Sequence, residues 1–218
     1  MLFRSGGSPP PSASLDPALG KALSMLHGYL SRTHGEHFEY FAGLEIQAAE
    51  SRMQPISSSR PMRVLFVCMG NICRSPMAEG TFRRLAADAG LADDVLVDSA
   101  GTHDYHVGEP PDPRAQRAAV GRGYDLSAMR GRQVDPEDFQ GFDLVLAMDG
   151  VNLRTLQRLC PPEHTRKLKL FMEFHSDSAV REVPDPYYGG NDGFERVLDM
   201  VEEASRGLLR HLRQQLGR

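Results

Sequence analysis

The chain has 218 residues, 40% of them hydrophobic, and a formal net charge of -4. That length buries one sizeable core, so one domain with an appendage is expected; no apolar run reaches the roughly 18 residues of a membrane span, and no basic stripe suits a nucleic-acid binder. Three cysteines are too few for a disulfide framework and fit a reducing, cytoplasmic setting.

Residues 1–14 are rich in Ser, Pro and Gly and lack an apolar segment long enough for a signal peptide, so a disordered start is expected. From Asp16 to Leu30 and from Glu36 to Met53, apolar residues recur at helical intervals (Leu19, Leu23, Leu26, Leu30; Phe38, Phe41, Leu44) and predict two short helices. His27, His34 and His37 lack the spacing of a zinc site and read as surface histidines. Gln54 to Pro61 reads as a flexible connector. Residues 1–61 therefore form an N-terminal extension to a domain at 62–218. Two readings of it stand open. Either the natural start is Met62 and the extension is a mis-assigned start, or its acid-free opening begins an organelle transit peptide, against which the acidic residues from Asp16 onward count.

The apolar run Val64 to Val67 reads as a buried strand, and Ser75-Pro76 as a helix start, with Ser75 as cap and proline at the first helical position, where its missing N–H costs nothing. Between them, the loop from Cys68 to Arg74 is expected to curl its N–H groups into a cradle for a tetrahedral anion at the positive end of the helix dipole. The same field favours a thiolate at Cys68, and Arg74 can return a planar fork of donors to the anion. Further on, strands are predicted at Val95–Ser99, Phe142–Met148 and Lys169–Met172. Helices are predicted at Pro76–Ala89, Pro113–Gly121, Asn152–Leu159 and Gly193–Leu216. The alternation implies an α/β fold: a four-stranded parallel sheet with helices on both faces, and a phosphate-binding loop after the first strand, at the carboxyl edge where ligands bind. Asp185, held between Pro184 and Pro186, is either a turn former or a carboxyl aimed at a reaction. Cys73, five residues past Cys68, invites a redox role, trapping a sulfenic acid as a reversible disulfide. Cys160 reads as a bystander.

Cys-x5-Arg-Ser after an apolar strand is the spacing of phosphatases that work through a phosphocysteine. The run from Val67 to Glu79, with Asp185-Pro186-Tyr187-Tyr188-Gly189, resembles the low-molecular-weight protein tyrosine phosphatase family over about residues 62–217. The resemblance implies hydrolysis of phosphotyrosine in proteins without metal or cofactor. Cys68 would be the nucleophile, Asp185 the general acid and then base, and Met69, Gly70, Asn71, Ile72, Cys73 and Arg74 the phosphate-binding loop. It also implies that Ser75 donates a hydroxyl to the Cys68 sulfur, that Asn71 and Ser99 hold the loop, and that Tyr105, Tyr187 and Tyr188 wall a slot whose depth selects tyrosyl esters. Many members carry histidine at Met129 and tryptophan at Tyr105, so a loop-stabilising hydrogen bond is expected to be missing here and substrate preference to shift. The same fold includes arsenate reductases, which need two further thiols, and protein arginine phosphatases, which carry threonine at Ile72; a non-catalytic phosphate-binding module would lack the nucleophile or the acid. The implied partner is a phosphotyrosine protein, such as a bacterial tyrosine kinase or a polysaccharide-export component, met by a monomer or weak dimer.

Overall fold

The computed structural model describes residues 60–218; the readings for residues 1–59 lie outside the described residues. In chain order come β1 (Met62–Cys68), α1 (Arg74–Asp88), β2 (Val95–Gly101), α2 (Pro113–Gly121), α3 (Asp138–Gly141), β3 (Leu144–Ala147) and α4 (Gly150–Leu159). A 3-10 turn (Pro162–Lys167), β4 (Leu168–Leu170), a second 3-10 turn (Phe171–Phe174) and α5 (Asn191–Leu216) complete it. All strands pair in parallel, in the order β2-β1-β3-β4.

Beta-1 is buried on both faces, which is why its sequence is continuously apolar rather than alternating. Val64, Phe66 and Cys68 enter a core shared with α1, α2 and α5. Leu65 and Val67 enter a second core closed by Phe139 of α3 and Leu156 of α4. Phe66 meets the edge of Phe171 at 5.1 Å between ring centroids and tilts against Phe82 at 6.0 Å, arrangements that aromatic quadrupoles favour. The periodic face of α5, from Phe194 through Val197, Leu198, Val201 and Leu208 to Leu212, is buried as its spacing predicts.

Several boundaries differ from those predicted. Alpha-1 begins at Arg74, with Cys73 as its N-cap residue and no side-chain cap. Ser75 is therefore not the cap and Pro76 is not the first helical residue: the Ser75 hydroxyl is engaged by Cys68, Asn71 and Ala100 instead. The third strand is shorter than Phe142–Met148: at its start the Phe142 amide closes α3 on the Asp138 carbonyl instead of joining the sheet, and Phe142 lies under the Arg63 guanidinium. The fourth ends at Leu170, where Glu173 accepts from the Leu170 amide and starts a 3-10 turn. Alpha-3 and the first 3-10 turn are too short to leave a periodic signature.

Beta-1 has β2 on one side and β3 on the other, so the connections leaving β1 and β3 diverge. Their carboxyl ends flank a crevice, the position where open α/β sheets take ligands.

Candidate active site

The crevice is built from three separated segments. The loop leaving β1 supplies Cys68, 3% exposed, whose Sγ accepts from the Asn71 backbone amide at 3.3 Å and lies 3.1 Å from Ser75 Oγ. The loop can turn so tightly because Asn71 adopts φ 56°; it is the one non-glycine residue with positive φ among the described residues, and Asn tolerates that left-handed conformation better than most. Its side chain fixes the turn. Nδ2 donates to Ser75 Oγ and to Ser99 Oγ, both at 2.9 Å, and Oδ1 accepts from the Arg132 amide at 2.9 Å. The end of β2 closes against the loop: Thr102 and His103 amides donate to the Cys68 and Met69 carbonyls. A Cβ on Gly101 would lie 2.7 Å from the Met69 carbonyl oxygen, so only glycine allows that approach.

Arg74, 3% exposed, points its guanidinium into the crevice from the first turn of α1. Nη1 donates to Asp149 Oδ2 at 2.5 Å and to the Val183 carbonyl at 3.2 Å; Nη2 donates to Asp185 Oδ2 at 2.6 Å. Burial opposes its charge, but Cys68, Asp185 and Asp149 overcompensate and raise its pKa. Asp185 is also aimed by its own turn, its Oδ1 accepting from the Tyr187 amide at 3.0 Å. Burial, joined by the nearby Asp112 and Cys68, pushes the Cys73 thiol well up from its ordinary value, so at neutral pH it remains a thiol.

These groups line a cavity of about 250 Å³ together with Met69, Gly70, Ile72, Cys73, Tyr105, His106, Tyr187 and Tyr188. Arg114 braces the aromatic wall from outside, donating to the Tyr187 carbonyl at 3.1 Å and lying 5.4 Å from its ring centroid. Tyr188 is 94% exposed and meets Tyr187 edge-on. Of the residues singled out in the sequence, Asn71, Ser75 and Ser99 stand behind the cavity floor rather than in its lining. Cys160 belongs to the core on the opposite sheet face from Cys68 and Cys73. Met129 packs beside Gly80, partly buried.

Sequence reasoning passed over three residues. Asp149 follows β3 and reaches Arg74 across 75 residues; its position just past a strand on the ligand edge was the available signal. His106 lines the cavity with its Nδ1 on Glu109 Oε2 at 2.6 Å. Glu79, 4% exposed, accepts from Ser99 Oγ at 2.6 Å.

The sequence profile of the family described as low molecular weight phosphotyrosine protein phosphatase matches residues 63–218. A low molecular weight protein-tyrosine-phosphatase of Streptomyces coelicolor is 50% identical over 159 residues, covering 71% of this chain and 95% of that protein. A putative low molecular weight protein-tyrosine-phosphatase of Synechocystis is 47% identical over 156 residues, covering 71% of this chain and 99% of that one. Among solved structures, YfkJ from Bacillus subtilis superposes with a TM-score of 0.69 at 38% identity, covering 73% of this chain and 99% of its own. Fold, loop and relatives agree, and the chain belongs to the low molecular weight phosphotyrosine protein phosphatase family.

Proposed function

We propose that the chain hydrolyses phosphotyrosine in proteins through a phosphocysteine on Cys68. The Cys68 thiolate attacks phosphorus in line with the ester oxygen. Arg74 and the loop amides hold the non-bridging oxygens as charge spreads over them. Asp185 gives its proton to the departing phenolate oxygen, then takes one from the water that attacks the phosphocysteine, releasing phosphate and restoring the thiolate. The observation that carries this reading is the convergence of a sulfur, a guanidinium and a carboxylate from separate segments on one cavity. Tyr105, Tyr187 and Tyr188 at its mouth favour an aryl ester, and the position of Cys160 in the other core leaves no third thiol beside the loop for arsenate reduction.

Wild type should hydrolyse para-nitrophenyl phosphate and Cys68→Ser should not; turnover by the serine variant would overturn the nucleophile. Asp185→Ala should lose about 100-fold or more in kcat, the usual worth of a general acid, together with the acid-base shape of the pH profile. Both free cysteines of the loop also support a protective role: peroxide converts the Cys68 thiolate to sulfenic acid, and the Cys73 thiol displaces water from it to form a disulfide that external thiol reduces. Cys73→Ser should then recover less activity after peroxide followed by thiol. A reducing cytoplasmic setting and a tyrosine-phosphorylated protein, such as a bacterial tyrosine kinase, suit this chemistry; an Asp185→Ala protein used to trap partners in lysate tests the latter.

A further inference from the structure

Behind the cavity runs a buried polar chain from the nucleophile to the protein surface: Cys68, Ser75, Asn71, Ser99, Glu79 and Arg83. Asn71 donates both of its amide hydrogens, to the Ser75 and Ser99 hydroxyls, so each serine keeps its own hydrogen for another partner. Ser99 gives that hydrogen to Glu79. Ser75 is left to choose between Cys68 Sγ at 3.1 Å and the Ala100 carbonyl at 3.3 Å.

We propose that Glu79 is a positioning residue for the reaction: by accepting from Ser99 it fixes the sense of the chain, so that Ser75 keeps its hydrogen free for the Cys68 sulfur. The alternative arrangement shows why. With the Asn71 amide reversed, both serine hydrogens turn to its oxygen, and Glu79 loses its donor, the Arg132 amide its acceptor, and Cys68 the Ser75 hydrogen. An ionised Glu79 forbids that reversal, whereas a protonated one, able to donate to Ser99, permits it. Glu79 is faced by Arg83 from its own helix and by Asp98 from β2, which is itself paired with Arg132. Burial raises its pKa, opposed by the Ser99 hydrogen bond and the Arg83 charge. The proposal rests on Cys68 being the nucleophile.

The test is Glu79→Gln in the full chain, which keeps the size, removes the charge and offers Ser99 an amide donor beside an acceptor, so that the sense of the chain is no longer imposed. Two quantities are followed: the pH dependence of Cys68 alkylation by iodoacetate, read on the Cys68 peptide by mass spectrometry, and kcat and KM for para-nitrophenyl phosphate. The alkylation midpoint should move up by roughly half a pH unit or more, and kcat near neutral pH should fall about tenfold with KM little changed. A through-space charge effect would instead move the midpoint down, and a purely structural role would leave it in place; either result overturns the proposal. Should Glu79→Gln not fold, Arg83→Met at the exposed end of the chain takes its place. It strengthens proton binding at Glu79, so the acid limb of kcat should move to higher pH, and an unmoved limb overturns the proposal. Hydrolysis surviving Cys68→Ser would bring down the nucleophile assignment itself, and this proposal with it.

Discussion

Asp149 caps α4 with one oxygen, accepting from the Asn152 amide at 2.7 Å, and holds Arg74 with the other. The cap bond fixes the side chain on its backbone while the charge serves Arg74, so the capped helix aims the guanidinium. Asp149→Asn should lower kcat/KM for para-nitrophenyl phosphate by roughly 10-fold to 100-fold, the span of one charge-assisted hydrogen bond, mostly through KM. Unchanged steady-state kinetics would show that Arg74 needs no such guide. At this scale the sequence was readable where several functional groups share one short segment. Cys68, Asn71, Ser75 and Arg74 lie within eight residues, and their types and spacing already imply an anion cradle. Asp149 and His106 were not readable, because Asp149 finds Arg74 across 75 residues and His106 joins the cavity lining only once the sheet is folded, its own hydrogen bond to Glu109 being local.

Among the elements, those with long periodic faces were legible and those fixed by local hydrogen bonds were not. Alpha-2 and α5 end at the predicted residues, since proline at the start of α2 and a left-handed Gly217 after α5 mark their limits. Ser75-Pro76 misled because a serine before a proline reads as a cap, whereas this hydroxyl lies inside the first turn against the Cys68 sulfur. The packing of α5 on the second 3-10 turn gives a test: a Cβ on Gly207 would overlap the Phe174 carbonyl oxygen. Gly207→Ala must push helix and turn apart, and should cost about 1–3 kcal/mol of stability, visible as a lower Tm in thermal unfolding. Activity measured well below that Tm should survive, since neither element lines the cavity. A Tm equal to wild type would mean that the two elements separate freely.

For the whole molecule, the four-stranded order places the ligand crevice, and the two cores on either side of the sheet hold its walls still. Every lining residue falls between Cys68 and Tyr188, and the relatives match residues of this domain over 95% and 99% of their own lengths. A chain of residues 60–218 should therefore fold cooperatively and turn over para-nitrophenyl phosphate within about twofold of the full chain in kcat. Circular-dichroism melting and steady-state assay check this, and a much slower truncated protein would assign residues 1–59 a part in the reaction. Asp185 rests on Arg74 across the crevice. The guanidinium is already occupied by a carboxylate, so an arriving phosphate ester has to evict it, and a doubly charged oxyanion is a far stronger competitor for that seat than a singly charged one. Asp185→Asn should accordingly bind inorganic phosphate more tightly than wild type even as its turnover collapses, a pairing of gain and loss that competitive-inhibition constants would expose.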